Sequence, residues 1–323
     1  MKRVVLVCAI GALVATSRPM HGQGGGSPFI DHSDTGEVIH VLPAPASIHS
    51  HHDTQPTDAP AHAGLAVYPA SYGLGNLIDH GGHEIPNAGF FAIYWNSSVA
   101  TSGGSQGNAT LRATVAAFAQ NYSDGVSYST ADPSADYSIV QQYGSTDAIS
   151  PVLFWRGDLV DSKLTQGSIS DSKIRSYLAG LFNAGRVVAD TSTIYGVYFP
   201  SGMKITSQGG SSCSSFCGYH GNFSYNGQDI KYAVFPYANC RGCSLPGKAV
   251  ADMLTIVSSH EIREAVTDPD LNAWYDAVGY EGDDKCAWHN LYQISRGGFW
   301  VQPEYANGSS SPYPGPGCVV PNQ

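Results

Sequence analysis

The run Ser259-His-Glu-Ile-Arg-Glu-Ala-Val266 carries residue types at a spacing that does chemistry. On a helix, His260 and Glu264 lie one turn apart and continue the face begun by Met253 and Val257. A nitrogen and a carboxylate donor at i and i+4 grip one divalent ion. The H-E-x-x-H zinc peptidases do this with a second His in place of Glu264. Glu261, beside the first ligand, is then aimed at a metal-bound water as its general base. The remaining ligands are expected downstream, where Tyr280-Glu-Gly-Asp-Asp-Lys-Cys286 offers Glu281, Asp283 and Asp284. Of these, Glu281 and Asp284 are assigned to the ion. Zinc is expected from the motif, but one His with carboxylates is a harder, more oxygen-rich set than usual for zinc, so manganese and calcium are alternatives. Calcium would make the site structural. The competing reading is a solvated helix on which Arg263 pairs with the glutamates. The apolar lead-in to His260 and the low overall charge argue against it.

His220, in Gly218-Tyr-His-Gly221, is a second catalytic candidate, as an oxyanion donor or a further ligand; the contrasting view is a histidine satisfied inside a stapled loop. His80 reads as a turn cap, and Asp268-Pro-Asp270 as the turn that stops the helix. The chain has no nucleophile elbow, P-loop or dinucleotide fingerprint, and Ser211, Ser212, Ser258 and Ser259 have no triad context.

Something must position these groups. The motif helix is expected over 248–266, closed by Pro269. A helix after an Asn108 cap carries Leu111, Val115, Phe118 and Tyr122 on one face. Another begins at Ser168 or Ser170, carries Ile174, Leu178, Leu181 and Phe182, and stops at Gly185. Apolar, aromatic-rich runs predict strands at 89–95, 151–155, 193–199 and 230–236. The expected fold is α/β (mixed α+β): a single layered domain with a central mixed sheet and a zincin-like active-site helix, stapled by disulfides.

Residues 1–23 read as a signal peptide, with Lys2-Arg3 followed by an apolar run from Val4 to Ala15 that is too short to span a bilayer. Residues 24–63 are rich in Gly, Pro and His, including His32, His40, His49, His51, His52 and His62. They read as a disordered linker, with metal scavenging as the less favoured alternative. The globular domain is then 64–323. Export makes Cys213, Cys217, Cys240, Cys243, Cys286 and Cys318 disulfide candidates, their pairing open. The first four could also be spaced for a zinc site. A net charge of −10 with only 13% charged residues excludes nucleic-acid and anionic-membrane partners, which demand Lys and Arg. A monomer is expected.

Several segments together resemble the Exordium, or phosphate-induced protein, family. They are Phe216-Cys-Gly-Tyr-His-Gly221, Tyr232-Ala233 with Cys240-Arg-Gly-Cys243, Ser259 through Pro269, Asn272-Ala-Trp-Tyr275 and Asp284-Lys-Cys286. His80-Gly-Gly82 followed by Phe91-Ala-Ile-Tyr-Trp95 is similar to the family's opening, though His83-Glu84 replaces the usual Pro. The resemblance spans roughly 72–320 and implies a secreted, extracellular protein of the cell-wall type. It leaves two functions open: a metallopeptidase with a peptide or wall-associated substrate, and a non-catalytic wall or signalling protein.

Overall fold

The computed structural model describes residues 27–48, 65–123, 125, 136–308 and 315–321. Seven strands form its central sheet: β1 (Ile30–His32), β2 (Val38–Pro43), β3 (Gly89–Tyr94), β4 (Phe154–Val160), β5 (Thr193–Tyr198), β6 (Phe216–Tyr225) and β7 (Gln228–Phe235). Their spatial order is β1-β2-β6-β7-β5-β3-β4. The half from β7 through β5 and β3 to β4 is parallel, and the half from β1 through β2 and β6 to β7 is antiparallel. β6 and β7 are joined by Asn226-Gly227, both at positive φ, as a two-residue hairpin requires. Mixed α/β architecture around a central mixed sheet is therefore the fold.

Helices cover both faces. α1 (Leu111–Asn121) and α3 (Val250–Thr267) share one, where the Tyr122 hydroxyl donates to the Ser259 carbonyl. α2 (Asp171–Asn183) lies on the other, its Asp171 carboxylate accepting from the hydroxyls of Tyr219 on β6 and Tyr232 on β7. α2 follows Ser170 and gives way to Gly185 at positive φ, as its sequence predicts. α1 is capped by Thr110 rather than Asn108, whose amide instead donates to the Ser105 carbonyl. β4 runs later than the predicted 151–155. It is an edge strand that carries exposed Arg156 and partly buried Asp158, so it lacks a fully apolar signature.

Residues 24–63 were expected to be a spacer, and here the expectation is corrected for 27–48. β2 is inserted between β1 and β6, with Phe29, Ile39, Val41 and Leu42 buried in the main core. Four such side chains contribute about 1.5–3 kcal/mol each by leaving water, which offsets part of the entropy of ordering the segment. The expected signal peptide (1–23) lies outside the described residues, as do 24–26 and 49–64.

α3 is buried from Ala251 to Thr267. A helix enclosed on every side is normally apolar all round. This one encloses Asp252, His260, Glu261, Arg263 and Glu264 as well, so each of those groups needs a partner. The surface reading of Arg263 fails on the same observation. Three disulfides, Cys213–Cys240, Cys217–Cys243 and Cys286–Cys318, staple the loops and remove the four-cysteine zinc site. No helix among the described residues is long and apolar enough to cross a membrane.

Candidate metal centre

α3 presents His260, Glu261 and Glu264 toward β6. The helix approaches because position 218 is glycine: a Cβ there would stand 2.4 Å from Val257 Cγ1 and 2.9 Å from Glu261 Oε1. Two residues on, on the same face of β6, comes His220, and directly opposite it on β2 stands His40. The acidic loop closes the group from the other side with Glu281 and Asp284.

The loop is held from several directions. Asp276 accepts from the amides of Leu74, Val278 and Tyr280 and from Lys285 Nζ at 2.9 Å. Arg263 on α3 pairs with Asp283, and Gln302 donates to the Asp283 carbonyl at 2.7 Å. The Cys286–Cys318 bond ties the loop to the C-terminal strand. Asp283 is thus engaged by Arg263, while Asp284 turns inward. The Asp284 amide donates to Glu264 Oε1 at 3.0 Å, and the Asp284 carboxylate accepts from the Glu281 amide at 2.9 Å.

These contacts leave Glu264 Oε2 facing three imidazoles: His260 Nε2 at 2.9 Å, His40 Nδ1 at 3.4 Å and His220 Nδ1 at 3.8 Å. His40 Nε2 lies 3.3 Å from Asp284 Oδ2, and His260 Nε2 lies 3.6 Å from Asp284 Oδ1. His220 Nδ1 stands 3.2 Å from Glu261 Oε2, with Nε2 3.7 Å from Glu281 Oε2. His40, His220, His260, Glu261, Glu264, Glu281 and Asp284 are all at most 1% exposed.

Burial pushes the Glu261 carboxyl well above the usual carboxylate range, and the neighbouring Glu264 adds to it; the Leu42 amide acts the other way. Burial and the same Glu264 push Asp284 up. Burial lowers His220 to about 3, helped by the adjacent His40. For Glu264 burial works upward, yet His260 and His40 hold it below its ordinary value.

The donors fit a divalent cation. Both ring nitrogens of His40 and of His260, Nε2 of His220, Glu264 Oε2 and Asp284 Oδ1 are buried and make no well-aligned hydrogen bond. Left so, each would carry a desolvation penalty of about 1–3 kcal/mol. Two groups have donor atoms mutually within 4.8 Å: His40, His220, Glu264 and Glu281; and His260, Glu264 and Asp284.

Every residue singled out from sequence for the ion or the chemistry—His260, Glu264, Glu281, Asp284, Glu261 and His220—is brought into this one cluster. His80 is not; it is exposed and stacked on Tyr275 with ring centroids 3.6 Å apart. Sequence reasoning passed over His40 as a ligand. Its signal was the short apolar run Val38-Ile-His-Val-Leu-Pro43, of strand length, hidden among Gly, Pro and His.

Comparison of the chain with family models, with curated proteins and with solved structures finds no match.

Proposed function

We propose that this is a secreted, Exordium-like, metal-dependent hydrolase, most simply a peptidase. The observation that supports it best is the buried convergence of unsatisfied imidazole and carboxylate donors beside Glu261, whose Oε1 makes no hydrogen bond. His260, Glu264 and Asp284, with His40, His220 and Glu281 beside them, would hold the ion. Imidazoles are poor calcium ligands, so three of them favour zinc or manganese. A divalent ion in such a site supplies a Lewis acid that polarises a carbonyl and acidifies water. Glu261 takes a proton from the attacking water through Oε1 and returns it to the leaving amine. Its other oxygen steadies Nδ1–H of His220, which fixes the tautomer and aims Nε2 inward.

One observation favours a second reading, a non-catalytic wall or signalling protein with a structural metal. Catalytic sites keep a position open, whereas here His40 on β2 closes the cluster and no member is more than 1% exposed.

Elemental analysis of the purified protein, followed by assay of wild type and Glu261→Gln on a peptide library, separates the two. The hydrolase reading expects bound metal and chelator-sensitive cleavage. Turnover should fall by about 10²–10⁴ in the variant while metal stays bound. Metal without cleavage of any peptide or ester would establish the structural reading instead.

A further inference from the structure

We infer that the centre holds two divalent cations bridged by Glu264. The inference rests on the metal-binding part of the proposed function and not on hydrolysis.

Three observations lead there. The first is the number of donors. Three imidazoles and three carboxylates, from His40, His220, His260, Glu264, Glu281 and Asp284, exceed the four protein ligands of a closed zinc site. They divide into two groups that share only Glu264: His40, His220 and Glu281 on one side, His260 and Asp284 on the other.

The second is the way Glu264 is held. The Asp284 amide takes Oε1, so Oε2 is the oxygen presented both to His260 Nε2 and to His40 Nδ1. With Nε2 as the His220 ligand atom, donor separations on the two sides run from 2.9 to 3.7 Å. Tetrahedral ligands at zinc bond lengths stand roughly 3.3 Å apart, so each side is spaced for its own ion.

The third is charge. Glu261, Glu264, Glu281 and Asp284 bring four carboxylates into one volume at most 1% exposed. The adjacent buried cations point elsewhere, Arg263 to Asp283 and Glu304, Lys285 to Asp276. With all four deprotonated, as ligation requires, one divalent ion offsets half of that charge and two offset all of it. Buried charge is tolerated only when compensated.

The experiment is a titration of the purified full chain, stripped by chelator, with manganese(II). Elemental analysis and electron paramagnetic resonance are the readouts. Two ions per chain and an exchange-coupled spectrum are expected at saturation. His40→Ala should bind one ion and give an isolated-ion spectrum. The wild-type spectrum decides the matter even if that variant does not fold. Saturation at one ion per chain, with an uncoupled signal, overturns the pair. One ion with chelator-sensitive hydrolysis would refute the pair and leave the hydrolase standing. Two coupled ions with no hydrolysis would do the reverse, and a chain that binds none would refute both.

Discussion

His40 on β2 stands directly opposite His220 on β6 in the antiparallel ladder, their ring centroids 5.5 Å apart. The pair joins a segment near the N-terminus to the middle of the chain through one buried centre. Residues 27–48 are consequently part of the folded unit. Deleting residues 1–48 should expose the edge of β6, remove one imidazole and uncover apolar core. The expected outcome is a clearly lower unfolding midpoint, with less metal retained after dialysis. A truncated chain with wild-type midpoint and metal content would show that β1 and β2 are dispensable.

Metal removal should destabilise the protein, because the ion binds only the folded arrangement. A ligand at a hundred times its dissociation constant contributes about 2.7 kcal/mol. At about 2–4 °C per kcal/mol for larger domains, the chelated protein should melt roughly 5–11 °C below the loaded one. Returning zinc or manganese should restore the midpoint, and calcium should not. Calorimetric melts unchanged by chelator would contradict the assignment.

How much of this was legible in the sequence varies by element. Helix spacing placed His260 and Glu264 on one face, and the acidic run before Cys286 marked the loop, because both signals are local. β3, β5 and β7 read as apolar runs since both their faces are covered. β6 did not, because Gly218, which admits α3, and Gly221, which packs against Tyr232 and Ile39, interrupt the pattern. β2 was hidden for a different reason. Its buried apolar residues Ile39, Val41 and Leu42 are flanked by polar stretches, and only the partner strand, far along the chain, makes them a strand. His40 could not be assigned without that pairing.

The disulfides should differ in what they support. Cys286–Cys318 closes a span of 32 residues and anchors the loop carrying Glu281 and Asp284. Replacing both cysteines by serine should cost between about 3 and 5 kcal/mol and also weaken metal affinity. Cys213–Cys240, with a separation of 27, should cost a similar amount of stability while leaving affinity near wild type. Metal titrations of the two double variants make the comparison; equal losses of affinity would mean the loop needs no tether.

Glu37 gives a pH test of how the N-terminal strands are held. Its carboxylate lies 2.7 Å from Arg175 on α2, and that contact keeps it below the usual carboxylate range. An acid depressed in the folded state stabilises above its unfolded pKa of about 4.3, and the contribution is lost as pH falls below that. Glu37 is about half exposed, so the pair contributes at most about 1 kcal/mol. Urea midpoints of wild type and Glu37→Gln should therefore differ slightly at pH 6, and the difference should shrink progressively as pH falls below about 4. A difference that widens on acidification would reverse the sign.

Arg263 offers the sharpest separation of stability from metal binding. Its guanidinium is 1% exposed, pairs with Asp283, and donates to the carbonyls of Asp136 at 2.9 Å and Gln302 at 2.8 Å. Burial pushes Asp283 up to about 7 even with Arg263 working to lower it, so the carboxyl depends on this partner. Arg263→Ala leaves Asp283 and Glu304 without their cation and should cost about 3–5 kcal/mol. Arg263→Lys keeps the charge but loses the planar fork that reaches a carboxylate and two carbonyls at once, so it should recover only part of that loss. The double change Arg263→Met with Asp283→Leu replaces the pair by apolar side chains and should be more stable than Arg263→Ala. It should nonetheless bind metal more weakly than wild type, because Asp283 positions Asp284 through the shared loop. Thermal melts of the chelated proteins read the first effect and zinc titrations the second. A double variant with restored stability and undiminished affinity would show that Arg263 holds the fold without positioning the centre.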